Sequence, residues 1–163
     1  MKTMNIFLFS ILFLTNIAQA DEKLYSFIGV QTSATNYDGK NTPTLGLRYG
    51  KQSQNFRTSF SYNYGKHSKD SYHTLLLEMD SGIFSETFSS SLFRPYLGGA
   101  VGMIEHINSK DNDRGYLFGI NTGLTYLFNE NIDFDLNYRF LRSAKLKDLD
   151  TINELTFAMH YFY

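Results

Sequence analysis

Between Ile132 and Phe140 the chain alternates at every step, with Ile132, Phe134, Leu136, Tyr138 and Phe140 set against Asp133, Asp135, Asn137 and Arg139. Successive side chains of an extended chain point to opposite faces, so this segment has one oily face and one charged face. The same rhythm recurs beyond residue 20, where Phe and Tyr dominate one set and ionisable groups and glycine the other. That combination predicts a sheet whose oily face meets lipid and whose other face lines a wet interior.

Length and composition narrow the alternatives. At 163 residues the chain is one domain, long enough to close a small sheet on itself. Its 15 basic and 16 acidic residues leave a net charge of −1, too little to gather nucleic acid. With no cysteine, disulfides and thiolate-ligated zinc or iron–sulfur sites are impossible. The mean hydropathy of −0.29 resembles that of a soluble protein, but luminal residues cancel lipid-facing ones in such an average. Residues 1–20 read as a cleaved secretory signal peptide: Lys2 supplies the positive charge, Ile6 to Ile17 is largely apolar, and Ala18-Gln19-Ala20 places small residues before Asp21. That apolar run is shorter than the roughly 20 residues a spanning helix needs. Lys, Asp, Glu or Arg interrupts each later candidate, which leaves residues 21–163 as one exported domain, either soluble or a barrel.

Turn-rich polar stretches divide residues 21–163 into eight alternating segments. In the first, Leu24 to Thr35, either parity could face lipid, and Asn36, Asp38-Gly39 and Asn41 end it with turn formers. The second sets Leu45, Leu47 and Tyr49 against Gly46, Arg48 and Gly50. The third sets Phe56, Thr58, Phe60, Tyr62 and Tyr64 against Arg57, Ser59, Ser61 and Asn63, and a slip of one residue would put Arg57 into lipid. The fourth starts near Tyr72, with His73, Leu75, Leu77 and Met79 outward and Thr74, Leu76, Glu78 and Asp80 inward. In the fifth, Leu97, Val101 and Met103 face out while Gly98, Ala100 and Gly102 relieve crowding inside. The sixth turns Tyr116, Phe118, Ile120, Thr122, Leu124, Tyr126 and Phe128 outward. Asn129-Glu130-Asn131 then leads into the seventh, a link short enough to require antiparallel neighbours. The eighth, from about Ile152, puts Leu155, Phe157, Met159, Tyr161 and Tyr163 out and Glu154, Thr156, Ala158 and His160 in.

The expected fold is all-β, an eight-stranded antiparallel up-and-down transmembrane β-barrel over residues 21–163. An even count brings the last strand beside the first, so the two pair and no open edge faces lipid. With both termini periplasmic, the longer connections near residues 36–43, 65–71, 107–114 and 143–151 would lie outside the cell. Tighter links near 51–54, 85–91 and 129–131 would face the periplasm.

Three stretches carry a resemblance: Arg94-Pro95-Tyr96-Leu97-Gly98-Gly99-Ala100-Val101-Gly102, the strand from Asp133 to Phe140 with its polar loop, and the aromatic C-terminal strand. Together they resemble the bacterial outer-membrane β-barrel family, including eight-stranded surface antigens of the opacity type and OmpX- and OmpA-like barrels. The resemblance spans essentially all of residues 21–163. Members usually end in Phe, which helps the outer-membrane insertion machinery recognise the last strand; here Tyr163 ends the chain beside Tyr161 and Phe162. Family resemblance implies the outer membrane of a Gram-negative bacterium, with lipid and lipopolysaccharide as surroundings. It implies activity far less, because members are adhesins, small pores or structural proteins.

Alternation up and down the barrel places Arg48, Arg57, Glu78, Asp80, Arg94, Asp133, Asp135 and Arg139 in the lumen. Opposite charges converging there would form a salt-bridged filling rather than a selectivity ring, because about eight strands leave room only for side chains. Tyr49, Tyr64, Tyr72, Tyr116, Phe128, Tyr138 and Tyr163 near strand ends fit interfacial girdles. His67, His73 and His106 fall near the outer rim beside Glu105, but without tight ligand spacing they predict no metal site and no cofactor. Ser143 follows a strand as the nucleophile of a barrel deacylase would, yet no histidine lies nearby and His160 is luminal. The sequence therefore points away from an enzyme. It points to an integral outer-membrane protein with a structural or surface-interaction role and an unknown surface ligand; the alternative is a narrow porin-like channel for small solutes.

Overall fold

The computed structural model describes residues 24–53, 55–82, 91–108, 112–144, 146 and 149–163. The expected signal at 1–20 and most of the turn at 85–91 lie outside these residues, as do Lys110, Asp111, Lys145, Lys147 and Asp148 in the connections expected near 107–114 and 143–151.

Eight strands form: β1 (Tyr25–Tyr37), β2 (Lys40–Gln52), β3 (Phe56–His67), β4 (Asp70–Gly82), β5 (Phe93–Ile107), β6 (Asn112–Leu127), β7 (Ile132–Ala144) and β8 (Thr151–Phe162). They pair in chain order as one closed antiparallel barrel. Closure runs along β1 and β8 from Phe27 opposite Phe162 to Tyr37 opposite Ile152, so neither strand keeps a bare edge. In each strand the two parities separate cleanly. Leu45, Leu47, Phe60, Val101, Phe118, Ile120, Leu136, Phe157 and Tyr161 are exposed outside, while Arg48, Ser61, Glu78, Asn121, Asp135, Asn137, Thr156 and His160 are buried inside. In β1, whose register the sequence leaves open, Ile28 and Val30 face out and Phe27, Gln31, Ser33, Thr35 and Tyr37 face in.

Connections differ from expectation. The link between β1 and β2 is only residues 38–39, and that between β3 and β4 only 68–69. The ladder continues through polar residues that read as loop, from Asn36 opposite Asn41 and His67 opposite Asp70. Asp38 and Gly39 take positive φ (44° and 89°), the backbone a two-residue hairpin demands and an Asp-Gly pair supplies. The remaining links at this hairpin end span 108–111 and 145–150, so none is a long loop. At the other end, with the termini, the β4–β5 connection at 83–92 is the longest of all, against the tight link expected there.

Glycine matters most where neighbouring strands crowd. A Cβ on Gly102 would collide with the Leu75 carbonyl and come within 2.8 Å of Leu76 Cδ2. Gly102→Val should therefore lower stability by about 1–3 kcal/mol through overpacking, read as an earlier urea midpoint of the refolded barrel.

Candidate functional site

Inside the barrel, seven charged side chains alternate in sign along one chain of contacts. Arg57 Nε donates to Asp80 Oδ2 at 2.9 Å, and its Nη2 lies 3.2 Å from Asp135 Oδ1. Arg48 approaches Asp135 Oδ2 at 3.5 Å and donates to Glu78. Arg139 reaches Glu78 Oε1 at 3.3 Å and donates to Glu154 Oε1 at 2.9 Å. The order is Asp80, Arg57, Asp135, Arg48, Glu78, Arg139, Glu154, and all seven are buried. The 3.5 Å and 3.3 Å contacts are ion pairs without hydrogen-bond alignment.

Neutral groups fix the acids. Tyr96 donates its hydroxyl to Asp135 Oδ2 at 2.8 Å and accepts from Asn137 Nδ2 at 2.6 Å. Thr125 donates to Asp135 Oδ1 at 2.9 Å, and Asn121 to Asp80 Oδ1 at 2.6 Å. The Arg57 guanidinium sits 4.5 Å above the Tyr96 ring, a cation–π contact. Asp133 stands apart, paired with His160 Nδ1 at 2.7 Å. Desolvated charges are tolerable only when matched in this way. Several buried polar atoms, among them Asn121 Oδ1, Asn137 Oδ1 and Asp133 Oδ2, have no hydrogen-bond partner among the described residues.

Above this polar layer, toward the hairpin end, the lumen turns apolar. Tyr37, Tyr72, Leu76, Ile104, Leu117, Leu141 and Ile152 pack together beneath Leu149. Tyr72 is sandwiched by Tyr37 and His106, with ring centroids at 3.9 Å and 4.7 Å. At the rim, Asp38 accepts from Asp150 N, Thr151 N and Thr151 Oγ1 at 2.6–3.1 Å, tying the first hairpin to the last. Lys40 donates to Asp70 at 3.1 Å and holds that carboxyl below the usual carboxylate range.

Of the luminal set named from sequence, Arg48, Arg57, Glu78, Asp80, Asp135 and Arg139 lie in the network, Asp133 is luminal but pairs with His160 apart from it, and Arg94 is in neither. It has luminal parity but sits half-buried at the terminus-bearing mouth, one residue into β5, and no ion pair to it is among those of the described residues. Tyr72 does not belong to a girdle: it is 2% exposed and points into the lumen, as the outward parity of His73 requires. Tyr138 faces out but lies in the middle of β7, its phenol donating to Asn153 Oδ1 at 3.0 Å. Tyr49, Tyr64, Tyr116, Phe128 and Tyr163 are exposed on the outer side. The histidines part company, with His67 on the Asn41 carbonyl, His73 on Tyr62 and His106 on the inner Tyr72 stack. Glu154 and Leu76 are placed inward from sequence, but the part of Glu154 in the ion-pair chain, the role of Tyr96 and the apolar layer as a unit are not. Their signal was parity alone, since each alternates with an outward neighbour.

No protein-family model and no curated protein sequence matches the chain. Among solved structures it is similar to Neisserial surface protein A, with TM-score 0.68 and 15% identity over 86% of this chain and 97% of that one. It is also similar to outer membrane protein H (OprH) from P. aeruginosa in DHPC micelles, with TM-score 0.64 and 18% identity over 85% and 99%. A third is the outer membrane enzyme PagL, with TM-score 0.54 and 12% identity over 83% and 98%. At such identities the likeness is one of fold: this chain has the closed eight-stranded architecture of outer-membrane barrels.

Asp135 bridges two arginines and accepts from two hydroxyls, so Asp135→Ala strands buried guanidinium charge. The expected loss is about 3–5 kcal/mol, measured by urea unfolding, and an unchanged midpoint would contradict the network.

Proposed function

We propose that the protein is an integral outer-membrane barrel with a structural or surface-interaction role, a closed lumen and no catalytic chemistry. The observation that carries this reading is the two-layer filling. A solute entering from the terminus-bearing end meets the Asp80-to-Glu154 ion-pair chain, and beyond it the Leu76–Ile104–Leu117–Leu141–Ile152 layer. An apolar constriction in a narrow barrel resists wetting and so bars ions as well as solutes. Support for the membrane comes from the outer face, where Phe, Tyr, Leu, Ile, Val and Met stay exposed on all eight strands.

In this reading the termini face the periplasm, and the braced hairpins carrying Lys40, Lys66 and Lys69 meet the outside, where lysines can contact lipopolysaccharide phosphates. The insertion machinery would engage β8. Short, rigid hairpins present a small surface to any ligand, which favours a structural part over a dedicated adhesin. Ser143 Oγ has no hydrogen-bond partner among the described residues, and His160 is buried on Asp133, so neither supplies the nucleophile–base pairing of an acyl hydrolase.

The competing reading is a narrow channel. Purified protein in planar bilayers should give a flat current, whereas Leu76→Ser/Ile104→Ser, which wets the apolar layer, should give brief openings. Discrete steps from the parent protein would contradict a closed lumen.

A further inference from the structure

The outer face over β4, β5 and β6 departs from the rest of the apolar band. Register sets its outward residues in rows, beginning near the hairpin end with His73, Glu105 and Arg114 side by side. The next row is Leu75, Met103 and Tyr116, followed by Leu77, Val101 and Phe118. The fourth is Met79, Gly99 and Ile120. A hollow of about 600 Å³ lies against the polar row, and a second of about 430 Å³ adjoins it, both lined by Leu75, Met103 and Tyr116. Gly99 leaves a notch below them: it faces outward, and a Cβ there would meet nothing closer than the Gly119 carbonyl at 3.8 Å. From Glu105 to Gly99 is six residues, or ~20 Å of strand at ~3.3 Å per residue. Tilted by about 45°, that descends ~14 Å, roughly half of a ~30 Å hydrocarbon core. The groove thus has the reach of one fatty-acyl chain in one leaflet.

Its polar end carries matched charges. Glu105 Oε1 accepts from Arg114 Nε at 2.8 Å and Asn112 Nδ2 at 3.0 Å, and Arg114 Nη2 forms an ion pair with it at 2.7 Å. All three contacts fall on one oxygen, so Oε2 keeps its capacity for a further donor. Arg114 is 77% exposed and has Nη1 to offer. His73 Nδ1 is engaged by the Tyr62 hydroxyl at 2.7 Å, which in the Nε2–H tautomer leaves Nε2 as a second outward donor. Two donors beside one carboxylate complement a headgroup that carries a phosphate and an ammonium together. We infer that this groove binds a single phospholipid whose headgroup pairs phosphate with a primary amine, the phosphate on Arg114 and His73 and the ammonium on Glu105. The inference rests on the outer face meeting lipid, as proposed above; because the polar row lies at the hairpin end, the bound phospholipid would sit in the leaflet that end meets, among the lipopolysaccharide of the orientation proposed above.

Protein refolded in dodecylmaltoside is titrated with dioleoyl phosphatidylethanolamine, dioleoyl phosphatidylglycerol and free phosphoethanolamine, and retained ligand is read by native mass spectrometry. The ethanolamine lipid should be held about tenfold more tightly than the glycerol lipid, as expected for one charge-assisted bond. Glu105→Gln should erase that preference, Arg114→Gln should weaken both lipids, and Gly99→Phe, whose Cβ has room and whose ring would occupy the outward notch, should weaken both while keeping the preference. Equal retention of the two lipids by the parent, a preference that survives Glu105→Gln, or chainless phosphoethanolamine binding as well as the lipid would each overturn the site. Every protein is also run unheated and boiled on a gel. Loss of the mobility shift in the parent would strike the membrane-barrel reading itself, whereas an intact shift with no lipid preference rejects only the groove.

Discussion

The pairing of β1 with β8 is the contact on which the rest of the molecule depends. A sheet with an apolar outer face cannot leave backbone N–H and C=O groups unpaired along an edge, because hydrocarbon offers them nothing. Eleven residue pairs, from Phe27 opposite Phe162 to Tyr37 opposite Ile152, remove that edge. Closing the sheet also creates an inside, and the period-two alternation then decides what fills it. The same registers that turn Ile28, Tyr161 and Met159 outward commit Phe27, His160 and Ala158 to the interior. Closure and alternation together make buried charge unavoidable, and the arginine–carboxylate chain is the arrangement that makes it tolerable.

The interior is not uniform along the axis. Near the termini it is ionic and hydrogen-bonded, with Tyr96 and Asn137 fastening Asp135. Near the hairpins it is aromatic and aliphatic, capped by Leu149 and by the stacked Tyr37, Tyr72 and His106 rings. The ionic layer fixes register, since a shift of one residue would break every link between Asp80 and Glu154 and expose arginine to lipid. In the closed lumen proposed here, the apolar layer is the part that would keep water from crossing. The Asp38 contacts to Asp150 and Thr151 then lock the hairpin end across the β1–β8 seam, the pairing with the longest sequence separation.

How much of this the sequence discloses depends on whether a feature follows from parity. Alternation in β3 and β7 makes the inward placement of Arg57, Asp133 and Asp135 legible, because the opposite parity is phenylalanine and tyrosine. Tyr72 shows the limit of reasoning from residue type: tyrosine suits an interface, but its neighbour His73 already occupies the outer face, so Tyr72 can only turn in. Arg94 shows another limit, since parity gives the side and not the partner: Arg57, equally close to its strand end, pairs with Asp80 and Asp135, whereas Arg94 lines the same mouth with no ion pair among those of the described residues. Hairpin lengths were hidden for a different reason. Asn36, Asn41, His67 and Asp70 are polar like loop residues, yet they stay in the ladder because strands pair in water as readily as in lipid. Rows across strands, such as His73–Glu105–Arg114, need register and are invisible to any single segment.

The central claim is that hydrocarbon is the solvent for the aromatic and aliphatic outer face. Its most direct test is alkaline carbonate extraction of envelope membranes, with unheated and boiled samples of the pellet compared on one gel. The account predicts that the protein stays in the pellet and migrates differently before and after boiling. Release into the supernatant, with a single mobility in both samples, would contradict it.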